Sequence, residues 1–129
     1  MNKIIAVILM LFVSSLGSGC ATLADAQAAK GTGTSKIYDK PYDVVWGAVL
    51  ESVKSVGLVL VSAHKEEGTI LAQRSITAFS WGENVAIYVE DAGGKIRTRV
   101  EVVNKRTVSV NITAANWERL IFEDLDKRL

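Results

Sequence analysis

Alternation of apolar and polar residues along two neighbouring stretches, 85–90 and 96–102, constrains the fold of this chain more than any other feature. In the first stretch, Val85, Ile87 and Val89 occupy every second position, and the second stretch continues the pattern. Successive side chains of a β-strand point to opposite faces, so a period of two predicts strands with one buried face and one wet face. The glycine-bearing segment between the stretches predicts a turn. Together they predict an antiparallel hairpin against a core.

Other segments extend the predicted sheet. Residues 58–64 and 69–76 are predicted strands, and the turn residues 66–68 lie between them. A short strand is predicted at 36–38, before the first helix. Residues 107–112 are a further candidate strand, because their apolar side chains also alternate.

A helical period follows the first strand. Asp39 and Pro41 form a start signal, because aspartate can cap free amides and proline fits the first turn, while Gly57 is a stop signal. The apolar residues between these signals recur at helical spacing: Tyr42, Val45, Trp46, Val49, Leu50, Val53 and Val56. This spacing predicts an amphipathic helix over 42–56.

A second amphipathic helix is predicted over 117–129, at the end of the chain, with Trp117 on its apolar face. Either Thr113 or Asn116 can cap it. Its polar face carries opposite charges four residues apart, which are spaced to pair: Glu123 with Lys127 and Asp124 with Arg128.

The predicted order is strand, helix, four or five strands, helix, within one domain over 36–129. Because the strands are wet on one face only, both helices pack most simply on the other face. The sequence therefore predicts an α+β fold, a two-layer sandwich in which an antiparallel sheet of about five strands carries two helices on one face.

The amino terminus predicts export. The apolar run 4–13 follows Lys3 and is too short to cross a bilayer, which needs about 20 helical residues. We therefore interpret 1–19 as a cleaved signal peptide. The small residues before Cys20 resemble the lipobox of bacterial lipoproteins, with Gly17 where leucine is usual. The resemblance implies that Cys20 receives a diacylglycerol group and further acyl chains such as palmitate.

Residues 20–35 are small and polar, and we predict a flexible tether between the lipidated cysteine and the domain. Several acyl chains would anchor the tether stably in a membrane. The chain has 15 basic and 14 acidic side chains, and loss of Lys3 with the signal leaves 14 of each. This balance predicts no nucleic-acid partner. Cys20 is the only cysteine, so no internal disulfide is possible.

Several packing and turn motifs resemble those of a group of small bacterial lipoproteins: the run 38–46, the strand entry 57–61, the turn 67–70 and the closing helix 116–129. This group is similar in layout to the helix-grip domains of BamC, a lipoprotein of the outer-membrane β-barrel assembly machine. The resemblance covers 36–129. It implies a fold rather than a task, and it brings no catalytic residues.

Two pairs of side chains are candidates for partner binding. Phe79 and Trp81 lie in a loop between predicted strands, where they can contact a partner or a bilayer interface, or fold back over the sheet. Arg97 and Arg99 share one strand face with Lys95 and can hold an anionic glycan or lipid head group, or form a solvated face.

No catalytic residue, metal site or cofactor is predicted. The chain lacks the usual metal-ligand, nucleophile and phosphate-loop motifs, and its only histidine, His64, stands at a strand end typical of a surface residue. A concave site where His64 meets a carboxylate would favour an enzyme. Trp46 and Trp117 lie on the apolar helix faces and are predicted to be core residues rather than walls of a ligand pocket.

We therefore expect a lipoprotein of the outer membrane, facing the periplasm, that acts as a non-catalytic binding or assembly module for other envelope proteins. Ala21 favours this location, because aspartate after the cysteine would favour retention at the inner membrane. The alternative is a carrier that holds a small apolar ligand, a lipid or a peptide, between helices and sheet. Its cavity would be lined by Trp46, Val49, Leu120 and Ile121.

Overall fold

The computed structural model describes residues 23–74, 82–106 and 116–129. Its elements, in chain order, are α1 (Leu23–Ala28), β1 (Thr34–Tyr38), α2 (Tyr42–Ser55), β2 (Val59–His64), β3 (Thr69–Arg74), β4 (Glu83–Gly93), β5 (Arg97–Arg106) and α3 (Trp117–Arg128). The signal segment, Cys20, Phe79, Trp81 and the candidate strand 107–112 lie outside the described residues.

The five strands form one antiparallel sheet in the order β1-β5-β4-β3-β2. Strands β2 to β5 follow one another as a meander. The first strand crosses to the far side and pairs with the last, from Thr34 opposite Val102 to Tyr38 opposite Thr98. The edges of the sheet are therefore β1 and β2, and the predicted antiparallel sheet of five strands is confirmed.

The main core lies between one face of the sheet and the helices α2 and α3. Alternate residues of the central strands, such as Val85, Ile87 and Val100, pack against the apolar stripes of both helices. Trp46 and Trp117 are only 6% and 5% exposed, which confirms that they are core residues. The predicted two-layer α+β sandwich is confirmed as well.

Helix α3 is also held by polar contacts at its carboxyl end. Asp124 accepts a hydrogen bond from Ser52 Oγ of α2 at 2.6 Å. Asp126 accepts hydrogen bonds from Lys36 Nζ at 2.6 Å and from the Tyr38 hydroxyl at 2.9 Å, both on β1. These bonds favour the charged carboxylates and lower the pKa of Asp124 and of Asp126.

The start of α3 follows the prediction, whereas the start of α2 differs from it. Asn116 Oδ1 accepts a hydrogen bond from the backbone amide of Arg119 at 3.0 Å, so Asn116 caps α3. At α2 the N-cap is Pro41, and no side chain caps the helix. The predicted cap Asp39 instead accepts a hydrogen bond from Arg97 Nε at 3.0 Å, because pairing of β1 with β5 brings the two side chains together.

Two predictions about exposed side chains need correction. On α3, Asp124 pairs with Arg128 as predicted, but Glu123 pairs with Arg119 one turn earlier rather than with the lysine one turn later. Ile96, predicted to point inwards, is 66% exposed, because it belongs to the turn before β5 begins.

The second face of the sheet carries α1, within the segment predicted to be a flexible tether. Ala26 is fully buried against Ala86, Tyr88 and Val103. The Tyr88 hydroxyl donates a hydrogen bond to the backbone oxygen of Gln27 at 2.8 Å. Burial raises the pKa of the Tyr88 hydroxyl above its ordinary value. The small side chains that suggested a linker instead allow the helix to approach the sheet closely.

The chain after α1 is held by a carboxylate on β5. The backbone amides of Gly31 and Gly33 donate hydrogen bonds to the two oxygens of Glu101, at 3.0 and 3.2 Å. A Cβ atom at position 33 would lie 2.2 Å from the backbone oxygen of Val102, so only glycine fits there. The predicted tether is therefore wrong for residues 23–35, which belong to the folded domain.

Candidate binding surfaces

Strand β2 is an exposed edge of the sheet. Val59, Leu60 and Val61 on this strand are 54%, 39% and 46% exposed. The register against β3 shifts between Leu60 and Ser62, which makes Val61 a bulge. One side of the β2 backbone has no neighbouring strand among the described residues, which is the arrangement that can accept a further strand. In the sequence, the unbroken apolar run 58–61 indicates this exposure. Successive side chains of a strand point to opposite faces, so they cannot all be buried on one face.

An open depression of about 580 Å³ lies beyond the carboxyl end of β2. It is bounded by the start of α2, the turn 65–68 and residues 89–91 of β4. The hydroxyl of Tyr42 donates a hydrogen bond to the backbone oxygen of Lys65 at 2.7 Å, which fixes the turn against α2. Gly68 is required, because a Cβ atom there would lie 2.1 Å from the backbone oxygen of Val89.

The depression is negatively charged. Of its five carboxylates, Asp43 pairs with Lys65 at 2.8 Å and Glu90 pairs with a lysine outside the depression. The carboxylate of Asp43 raises the pKa of Lys65. The three other carboxylates make no ion pair within the described part of the chain: Glu66, Glu67 and Asp91. In the sequence, the turn residues 66–68 predicted only a connection between strands, and the acidic character of the depression depends on the fold, which brings residues 43 and 89–91 to the same place.

Arg97 and Arg99 project from the sheet face that carries α1. Arg97 Nε lies 3.0 Å from Asp39 Oδ1 in an exposed ion pair. Arg99 is exposed and makes no ion pair among the described residues. Its cross-strand neighbours are Ile37 on β1, which is 44% exposed, and Glu90 on β4. The structure therefore places both predicted arginines on one surface.

The residues proposed to line a carrier cavity belong to the main core. Trp46, Val49 and Ile121 are buried, and Leu120 packs against them at the edge. The ring of Trp46 also stacks on Tyr42, with centroids 6.1 Å apart. These side chains fill the space between helices and sheet, whereas the depression lies at one end of the sheet.

The second tryptophan of the core, Trp117, contacts a buried carboxylate at the opposite end of the sheet. Glu83 is 1% exposed and accepts a hydrogen bond from Trp117 Nε1. The guanidinium of Arg74 lies 5.9 Å from the Trp117 ring centre. Phe79 and Trp81 lie in the sequence between β3 and β4, which meet at this end of the sheet, and both aromatics are outside the described residues.

His64 is exposed at the end of β2 and does not line the depression. Within the ranges that the structure describes, no group of three or more His, Cys, Asp and Glu side chains is placed to hold a metal ion. No described helix is long and apolar enough to cross a membrane.

Comparisons with known proteins found no family model and no curated protein that matches this chain. The β2 edge, the acidic depression and the arginine face differ in chemistry, and they suit different ligands.

Proposed function

We propose that this chain is a lipoprotein anchored in the outer membrane through acyl chains on Cys20, and that its domain is a non-catalytic module that binds other envelope proteins in the periplasm. The observation that carries the binding proposal is the exposed β2 edge, where three consecutive apolar side chains stay in contact with water: Val59, Leu60 and Val61. Contiguous exposed apolar residues are typical of interaction sites rather than of inert surface.

The β2 edge suits an extended segment of a partner protein. A segment laid beside an edge strand gains backbone hydrogen bonds, while the apolar side chains of the strand select what lies against them. The bulge at Val61 interrupts the strand and restricts such pairing to a short stretch. Glu66 and Glu67 follow the strand, so a basic residue at that end of the segment is favoured.

Core packing supports this proposal over the carrier alternative. Trp46, Val49 and Ile121, which a carrier would use to line its cavity, pack against one another and the sheet. A ligand between the layers would have to displace these side chains. Binding at an edge leaves the core unchanged.

Photo-crosslinking in intact cells tests the binding proposal. A photoreactive amino acid at Val61 is expected to give discrete crosslinks to one or a few envelope proteins. The same amino acid at Lys127, exposed on α3, is the matched control and is expected to give none. Equal crosslinking at both positions, or crosslinks at Lys127 alone, would contradict a binding role for the edge.

Substitution of Cys20 tests the anchor. Because the acyl chains need the thiol, Cys20→Ser is expected to abolish labelling by a fatty-acid analogue and to block processing after Gly19. Ser14→Ala, within the same signal, is expected to keep both. A Cys20→Ser protein that is still labelled and processed would show that the lipoprotein assignment is wrong.

A further inference from the structure

We propose that the sheet face carrying α1 lies on the membrane surface, and that Arg97 and Arg99 on this face bind the head groups of anionic phospholipids. The inference rests on the proposed anchoring at Cys20 and deepens it. It adds an orientation of the domain and a ligand class for two exposed cations.

The first step is the short distance between anchor and domain. Only Ala21 and Thr22 separate Cys20 from Leu23, where α1 begins, so the link spans about 11 Å at most. The predicted tether of 16 residues, 20–35, would have left the domain free to turn, but α1 is docked on the sheet. The start of α1 is therefore held near the acyl chains.

The second step is that α1 cannot swing away at low cost. Ala26 of this helix is fully buried against the sheet, and the Tyr88 hydroxyl donates a hydrogen bond to the helix backbone. The amides of Gly31 and Gly33 are bound by Glu101, immediately after the helix. These contacts keep the anchor close to the sheet face that carries α1.

The third step is charge. The positions of β5 that alternate onto the α1 face carry three basic residues, Arg97, Arg99 and Lys105, and one acidic residue, Glu101, which is occupied by backbone amides. The helices α2 and α3 on the opposite layer carry six acidic and four basic residues together. This face of β5 therefore has an excess of positive charge, which suits an anionic bilayer, whereas the two helices have an excess of negative charge, which an anionic bilayer repels.

Neighbouring acids do not cancel the arginines. Glu90, opposite Arg99 across the strand pair, lies 2.5 Å from Lys30 Nζ and is neutralised there. Asp39 pairs with Arg97, but this ion pair is open to water, with side chains 87% and 51% exposed. Exposed pairs of this kind contribute little free energy, so a lipid phosphate can compete for the guanidinium.

The fourth step is the apolar content of the same region. Ile37 lies directly opposite Arg99 and is 44% exposed, and Ile96, next to Arg97, is 66% exposed. Cations interspersed with exposed apolar side chains characterise surfaces that lie in a membrane interface.

Vesicle co-sedimentation tests the inference without the acyl anchor. The chain 20–129 with Cys20→Ser is expected to bind vesicles of equal parts phosphatidylglycerol and phosphatidylcholine, and to bind pure phosphatidylcholine much more weakly. A surface cation contributes roughly fivefold to such binding. The double variant Arg97→Gln, Arg99→Gln should therefore lower the partition coefficient by about 25-fold.

The matched control removes the same charge from the opposite layer. Arg119→Gln, Lys127→Gln on α3 is expected to change the partition coefficient by less than about twofold, since those side chains face away from the bilayer. Equal losses in the two double variants would show a general charge effect and overturn the inference. So would equal binding to both kinds of vesicle, or binding through the same arginines to a soluble anionic glycan but not to vesicles.

This experiment and the test of the anchor fail independently. The chain used here has no acyl group, so its binding to vesicles does not depend on lipidation in cells. Loss of labelling at Cys20 would contradict the anchor, and loss of vesicle binding would contradict the orientation.

Discussion

The two faces of the sheet are held by different kinds of contact. Among the described residues, the helix face buries sixteen side chains in one apolar cluster and the α1 face buries four, so the free energy of hydrophobic burial in this part of the chain is concentrated on the helix face. The α1 face depends more on hydrogen bonds, from Tyr88 to the helix backbone and from two glycine amides to Glu101. A six-residue helix is not stable alone, so α1 persists only while docked.

Because of this difference, substitutions on the two faces are expected to have different effects on unfolding. Loss of a side chain on the helix face affects the unfolding of the whole domain, because the core forms cooperatively. Loss of a contact on the α1 face can open one helix while the sheet stays folded. The membrane orientation proposed above depends on the face with the weaker contacts, and the following experiments test this contrast.

The largest effect is expected for Trp46→Ala. The side chain is buried in the main core, so its removal should lower the free energy of unfolding by about 3 to 5 kcal/mol. Val44→Ala, at a half-exposed position of the same helix, should change it by less than about 0.5 kcal/mol. Urea unfolding followed by circular dichroism measures both. A loss below about 1 kcal/mol for Trp46→Ala would contradict the dominance of the helix face.

A smaller loss is expected for Asp124→Ala, which removes a contact between the two helices. Ser52 is fully buried and would lose its hydrogen-bond acceptor, at a cost of about 1 to 3 kcal/mol. Asp124→Asn keeps an acceptor and should lose less. Equal stability of the alanine variant and the unmodified protein would show that the contact does not contribute.

The carboxylates of Asp124 and Asp126 predict that the stability of the domain depends on pH. Hydrogen bonds from Ser52 and Arg128 lower the pKa of Asp124 in the folded state, and bonds from Lys36 and Tyr38 lower the pKa of Asp126. This stabilisation is present above the unfolded pKa of about 3.9 and is lost as the pH falls through the folded values. Urea midpoints should therefore fall in acid, and less steeply when both aspartates are changed to Asn. Equal slopes would contradict this assignment.

A local effect is expected for Glu101→Ala on the other face. The amides of Gly31 and Gly33 lose their acceptor, so hydrogen exchange in residues 23–33 should accelerate by about tenfold. The global free energy of unfolding should change much less than for Trp46→Ala. Arg99→Ala on the same strand is the control and should leave exchange unchanged. A cooperative loss of the whole fold in Glu101→Ala would show that the two faces are not separable.

The smallest effect on stability is expected for the double change Phe79→Ser, Trp81→Ser. If Phe79 and Trp81 contact a partner, the melting temperature should stay nearly unchanged while specific crosslinks in the envelope are lost, since truncating a buried interface tryptophan can cost about 2 kcal/mol of binding. Unfolding of the double variant, with crosslinks retained by its folded fraction, would assign the rings to the core.

Local periodicity accounts for the agreement between sequence and structure on the helix face. The apolar stripes of 42–56 and 117–129 and the alternation in 85–102 each occur within one element, so they can be recognised before the elements are assembled. The buried positions of Trp46 and Trp117 follow from the same stripes. The charge of Arg97 and Arg99 and their shared strand face were also evident from spacing alone.

Pairing between distant segments decided the rest. Local patterns did not specify strand order. Because β1 pairs with β5 and not with β2, β2 lies at an edge of the sheet, and only the tertiary structure determines this exposure. The same pairing joins Asp39 to Arg97 instead of to the start of α2. Docking of α1 has no periodic signal, because alanine and glycine are common both in linkers and in close-packed segments. Its fit depends on the shape of the sheet and on Glu101, 70 residues from Gly31, and such long-range complementarity is a property of the assembled fold.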